Sequence, residues 1–233
     1  MQVDWCNAES CRKLKNMVRI VVLIFVLSFQ NFVFAQERFS SEDLESDVNL
    51  LWSALNELHP GLYRHSETVN LENDYKNLLS SFSEETSSTE VFLRLSEFTS
   101  KIKCGHTYLN PFNQKNRKIS SVLQEQVLLP LTFVIIENQI IVSESFSKRL
   151  TKGNVITHIN NLETGEIIEE LSSYVKSDGE RLSKKIKDLE VHLTSKYESF
   201  DYYFPMVYEW KDSVVVTLNN GTSTTIQLMN KEE

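Results

Sequence analysis

Cys104-Gly105-His106-Thr107 is where helical periodicity stops and strand periodicity begins in this 233-residue chain. Upstream, Leu44, Val48, Leu51, Trp52, Leu55 and Leu58 recur at helical spacing behind the cap candidate Ser40-Ser41-Glu42-Asp43. That helix should stop at His59, because Pro60 restricts the residue before it and Gly61 follows. A second helix is expected over Leu71 to Phe82, with Tyr75, Leu78, Leu79 and Phe82 on one face. After a loop at Ser83 to Ser88, Ser88 or Thr89 should cap a third helix carrying Val91, Phe92, Leu95, Phe98 and Ile102. None of the three is apolar enough to stand alone, so each must pack on its neighbours.

Downstream, His106 to Leu109 reads as extended, and Pro111 to Ser121 as a polar loop holding Lys115, Arg117 and Lys118. Val127 to Ile136 and Ile140 to Val142 read as strands joined at Glu137-Asn138-Gln139. Val155 to Ile159 is a further strand after Gly153-Asn154, and a turn at Asn160-Asn161 leads to a helix with Ile167, Ile168 and Leu171. The loop Ser177-Asp178-Gly179 precedes a helix expected over Glu180 to Leu193. Ser213 to Leu218 and Thr224 to Leu228 make a hairpin around Asn219-Asn220-Gly221, residues that tolerate positive φ. The fold class is therefore α+β: a helical domain over 36–104, then a β-rich domain over 105–233 with helices and a C-terminal hairpin.

His106 is the candidate catalytic residue. A histidine after glycine, at the junction of two structural patterns, has its backbone freed by Gly105 and its ring presented at an element end, which suits proton transfer. The competing reading is a hydrogen-bonded structural histidine. Cys104 reads as a small buried hydrophobe rather than a reactive thiol. His59 and His65 stand six positions apart, which is not a helical ligand spacing, and zinc needs three or four converging ligands. No metal or other cofactor is expected. His158 and His192 read as surface residues, His192 on a helix without an acidic partner. Tyr197, Phe200, Tyr202, Tyr203, Phe204, Tyr208 and Trp210 read as packing between the last helix and the hairpin, or as a binding groove.

Arg12, Lys13, Lys15 and Arg19 precede the apolar run Ile20 to Leu27, and an A-x-A-like site ends at Ala35. Residues 1–35 thus read as a secretory signal, with an uncleaved N-terminal anchor as the alternative and the sole route to a membrane. A secreted or periplasmic location follows. Four basic and two acidic residues leave with that segment, so the remainder holds 20 Lys+Arg against 30 Asp+Glu, a net charge of −10. Such a balance excludes nucleic acid as a partner, since Lys184-Lys185-Ile186-Lys187 is the one basic cluster and suits a solvated helix face. Cys6 and Cys11 would leave with the signal too, and Cys104 alone cannot form an intramolecular disulfide.

Taken in order, five pieces resemble the tail-specific, or C-terminal-processing, serine peptidases, a family that includes tricorn-like enzymes. They are the opening helix into His59-Pro60-Gly61-Leu62-Tyr63, the third helix into Cys104-Gly105-His106-Thr107, Leu129-Pro130-Leu131, Gly153 to Asn161, and Ser177-Asp178-Gly179. Gly153 to Asn161 looks like the Gly-x-x-Ile-x-x-Ile-Asn-Gly element of a PDZ-like domain, with Asn161 in place of the last glycine. The resemblance implies a helical region and a PDZ-like module that precede a mixed α/β catalytic domain bearing the nucleophilic serine. No Gly-x-Ser-x-Gly turn occurs here, so the expectation is a non-catalytic, truncated portion of a secreted serine peptidase lacking the catalytic α/β domain. In the tricorn-like branch His106 would be the general base; in the other branch a lysine of the later domain fills that role. The alternative is a stand-alone peptide-binding or decoy module of the cell envelope, with a peptide or protein as partner. A PDZ-like carboxylate nest is helped by glycine, and Gln124 to Pro130 contains none, which counts against carboxylate capture.

Overall fold

A computed structural model of the chain describes residues 39–110, 127–192, 198–208, 210 and 212–230. Residues 1–35, the Lys115, Arg117 and Lys118 loop, and Tyr197 lie outside them. The described residues contain six helices and two sheets in an α+β arrangement, three helices first and a β-rich part with three more after. No helix among them is long and apolar enough to cross a membrane.

The helical part is α1 (Ser41–Leu58), α2 (Thr68–Ser81) and α3 (Ser88–Ser100). Ser40 caps α1, its hydroxyl accepting from the Asp43 amide at 3.0 Å. His59 ends the helix, as Pro60 requires. α2 begins three residues before the apolar pattern, at Thr68, and its apolar face closes on Trp52, which stacks on Tyr75 at 4.7 Å. The cap of α3 is Ser87 rather than Ser88 or Thr89: its hydroxyl accepts from the Glu90 amide, and the Glu90 carboxylate accepts from the Ser87 amide. This reciprocal capping box satisfies two amides that either neighbouring cap would leave open. Val48, Leu55, Leu62, Leu71, Leu78, Phe98 and Ile102 form the core of this part, whereas Leu58 is exposed.

The β-rich part is an antiparallel sheet in the order β2-β3-β4-β6-β7, where β2 is Leu131–Ile136, β3 Gln139–Ser145, β4 Val155–Ile159, β6 Ser213–Leu218 and β7 Ser223–Gln227. Short β5 (Leu162–Glu163) pairs with β4, and β1 (Val127–Leu128) pairs with β8 (Met229–Asn230) apart from the main sheet. Glu137 and Asn138, with φ of 51° and 59°, close the β2–β3 hairpin; Asn160 and Asn161, at 47° and 69°, close the next. Both are two-residue turns with positive φ, matched to strand twist. Between β4 and β6 the chain inserts α4 (Thr164–Tyr174), α5 (Leu182–Leu189) and α6 (Ser199–Tyr208).

Two segments take forms that the sequence pattern does not show. The aromatic-rich segment is itself a helix, α6, despite Pro205 within it. Burial overrides the helix-breaking residue: Phe200, Tyr203 and Phe204 are nearly fully covered, and Phe200 meets the edge of Phe133 at 4.9 Å. The helix expected over Glu180 to Leu193 runs only over Leu182–Leu189. The chain then turns extended, and Val191 pairs with Phe133 on the outer edge of β2 through bonds of 2.9 and 3.2 Å. Buried Glu190 accepts the next β2 amide, Ile135, at 3.1 Å, so His192 has the acidic partner the sequence did not reveal: Glu190 Oε2 at 3.0 Å.

Burial alone would raise the Glu190 carboxyl, but the Lys187 ammonium, the Ile135 amide and the His192 ring outweigh it and hold it below its ordinary 4.5. A carboxyl depressed by folding stabilises the fold above its unfolded value, and that contribution is lost as the pH falls through the folded one. The urea midpoint should therefore drop on acidification from about pH 4.5 downward. Glu190→Gln should lower the midpoint at neutral pH and flatten the acid limb.

Candidate functional site

A cleft of about 960 Å³ lies where the end of α1, the turn after it and the turn after α3 converge. His59, Tyr63, Arg64 and His65 form one wall; Lys103, Cys104, His106 and Thr107 form the other, with Asp178 at the rim. The structure thus brings together His59, His65 and His106, which the sequence separates by up to 47 positions. They do not form a metal site: no group of three or more metal-ligating side chains occurs among the described residues.

His59 is structural. The Gly61 amide donates to its Nδ1 at 3.2 Å, which assigns the proton to Nε2, and Nε2 lies 2.8 Å from Thr107 Oγ1. One ring therefore ties the turn after α1 to the turn after α3. The second turn is not the extended segment expected over His106 to Leu109. The Thr107 amide donates to the Cys104 carbonyl at 3.0 Å, making a tight bend, and the chain stays irregular to Asn110. Nor does Gly105 provide the conformational freedom. The left-handed residue here is Lys103, with φ of 56°, which presents its carbonyl to the Gly179 amide at 2.9 Å. Lys103 also pairs with Glu180, and Ser66 Oγ donates to the Lys101 carbonyl at 2.9 Å. Three separate contacts thus hold the turn that carries His106.

The His106 ring itself is exposed and has no hydrogen-bond partner among the described residues. Cys104 is partly buried against the helical core, in keeping with its reading as a small hydrophobe. His158 sits on β4, half-buried, with Nδ1 3.0 Å from Thr157 Oγ1. His192 is exposed, as its surface reading expects, and its amide donates to Glu198 at 2.9 Å. Sequence reasoning took Asp178 only as part of a loop and His65 only as a metal-ligand candidate, and did not bring them to the same cleft. The signal available for them was the Ser177-Asp178-Gly179 turn, whose partner across the chain no local pattern identifies.

No protein-family model matches the chain, and no curated protein does. Solved structures of CPAF, a chlamydial serine protease, are similar in fold. A serine-to-alanine mutant of CPAF superposes with a TM-score of 0.55 at 11% identity, over 80% of this chain and 33% of that one. Mature CPAF gives 0.54 at 11%, and mature CPAF complexed with lactacystin gives 0.51 at 12%, each over 80% of this chain and 34% of that one. The chain spans about a third of the length of these structures. At such identity the likeness establishes a protease-like fold and nothing finer.

Two glycines separate conformation from motif. A Cβ on Gly105 would meet Asp178 Cβ at an ordinary 3.7 Å, so Gly105→Ala should change stability by no more than about 0.5 kcal/mol. Gly179 has φ of +71° and faces His65 Cε1 at 3.5 Å, so Gly179→Ala should cost about 1–2 kcal/mol in a denaturant titration.

Proposed function

We propose that this chain is the helical and PDZ-like portion of a secreted serine-type peptidase of the tail-specific kind, not catalytic by itself. In this reading His106 is the general base toward a serine carried outside it. The single observation behind the reading is the state of His106: an exposed ring with no partner among the described residues, on a turn bonded to His59 and to Gly179 and Glu180, lining a cleft of about 960 Å³. A base needs a fixed position and a free nitrogen within hydrogen-bond reach of the proton it takes, and a second nitrogen for an orienting partner. His59, by contrast, has both nitrogens engaged. The order of the five family-like pieces and the CPAF-like fold support the same reading. No serine among the described residues lines the cleft, and in this reading the nucleophile and the oxyanion donors come from another domain.

The chain supplied with the α/β domain of a CPAF-type peptidase should cleave a fluorescent casein. His106→Ala should then lower kcat/KM by about 10²–10⁴-fold, the usual contribution of a positioned base. Undiminished cleavage with alanine at 106 would move the base to the other domain, as in the lysine-dependent branch.

A further inference from the structure

We infer that the outer edge of β7, not that of β2, is the strand-addition site of this protein, and that it takes an extended acidic segment. This inference is independent of the peptidase reading, since neither His106 nor its cleft takes part. A sheet edge binds a peptide only where its amides and carbonyls are unpaired. On β2 they are not: Val191 pairs with Phe133, and Glu190 accepts the Ile135 amide. The chain has laid its own segment on that edge.

β7 differs. Leu228 donates to Asp212 and Leu218 donates to Thr222, so the even-numbered residues 222 to 228 make the bonds to β6. Antiparallel alternation then points the backbone groups of Ser223, Thr225 and Gln227 outward. None of the three amides has a partner among the described residues. A cleft of about 370 Å³ runs beside this edge, lined by Pro130, Phe146, Lys148, Arg149, Thr225 and Gln227. Phe146 is exposed, Arg149 reaches Thr224 Oγ1 at 3.5 Å, and neither Lys148 nor Arg149 has a carboxylate partner among the described residues. Two unpaired cations beside an open edge, on a chain of net charge −8, select an acidic strand. With a period of two along a strand, acidic side chains at alternate positions would face them together.

The test is calorimetric titration of the full chain with a blocked peptide of alternating Glu and Val, compared with its Lys-Val counterpart. Saturable binding of the acidic peptide is expected. Thr225→Pro removes an outward amide and leaves the β6 ladder intact, so it should weaken binding about tenfold or more. Should that variant lose its fold, Lys148→Glu with Arg149→Glu should give the same loss on a chain with unchanged melting. Glu190→Gln should leave binding unaltered. The inference is overturned by no binding, by equal binding of the Lys-Val peptide, or by loss in Glu190→Gln alone. A dimer abolished by Thr225→Pro would also overturn it, with a second copy occupying the edge.

Discussion

The structure depends on α3 being buried on two sides at once. Phe92, near its start, belongs to the core of the β-rich part, where it lies 6.1 Å from Tyr203 of α6. Phe98, one and a half turns later, and Ile102, just past the helix, belong to the core of the helical part. Polar contacts fix the same seam: Ser100 Oγ donates to the Ser173 carbonyl of α4 at 2.5 Å, and Ser96 and Thr99 are buried beside it. The remaining face of α3 is polar, with Arg94 paired to Glu90 and Lys101 paired to Glu97 at the surface, so the two buried faces set its axis and its end point.

What that arrangement positions is the turn after α3. With α3 held on two faces, Lys103 meets Gly179, and Thr107 meets His59. Lys103 holds a left-handed conformation, worth about 1 kcal/mol of strain for a residue with a side chain, and its bond to Gly179 offsets it. His59 and His106 are thereby divided in role by what surrounds them. One is spent on holding two turns together, and the other is left free above the cleft.

Much of this was legible in the sequence where the signal is local. Ser40 with Asp43, Pro60 after His59, the Asn160-Asn161 turn and the hairpin around Asn219-Asn220-Gly221 each follow from short-range rules, and each is found. Long-range burial decided what was not legible. Pro205 argues against a helix, yet six aromatic side chains between 200 and 210 gain more by packing as one. Glu190 to His192 continues a helical pattern, yet the open amides of Phe133 and Ile135 draw it into a strand edge. His106 does line the cleft, but the backbone freedom expected of Gly105 resides instead at Lys103 and Gly179.

Native-state hydrogen exchange tests most directly whether the two-sided burial of α3 holds the His106 turn in place. The amides of Thr107 and Gly179, which bond the Cys104 and Lys103 carbonyls, should be as protected as those of α3. Their exchange at the rate of open loops, while α3 stays protected, would contradict the account.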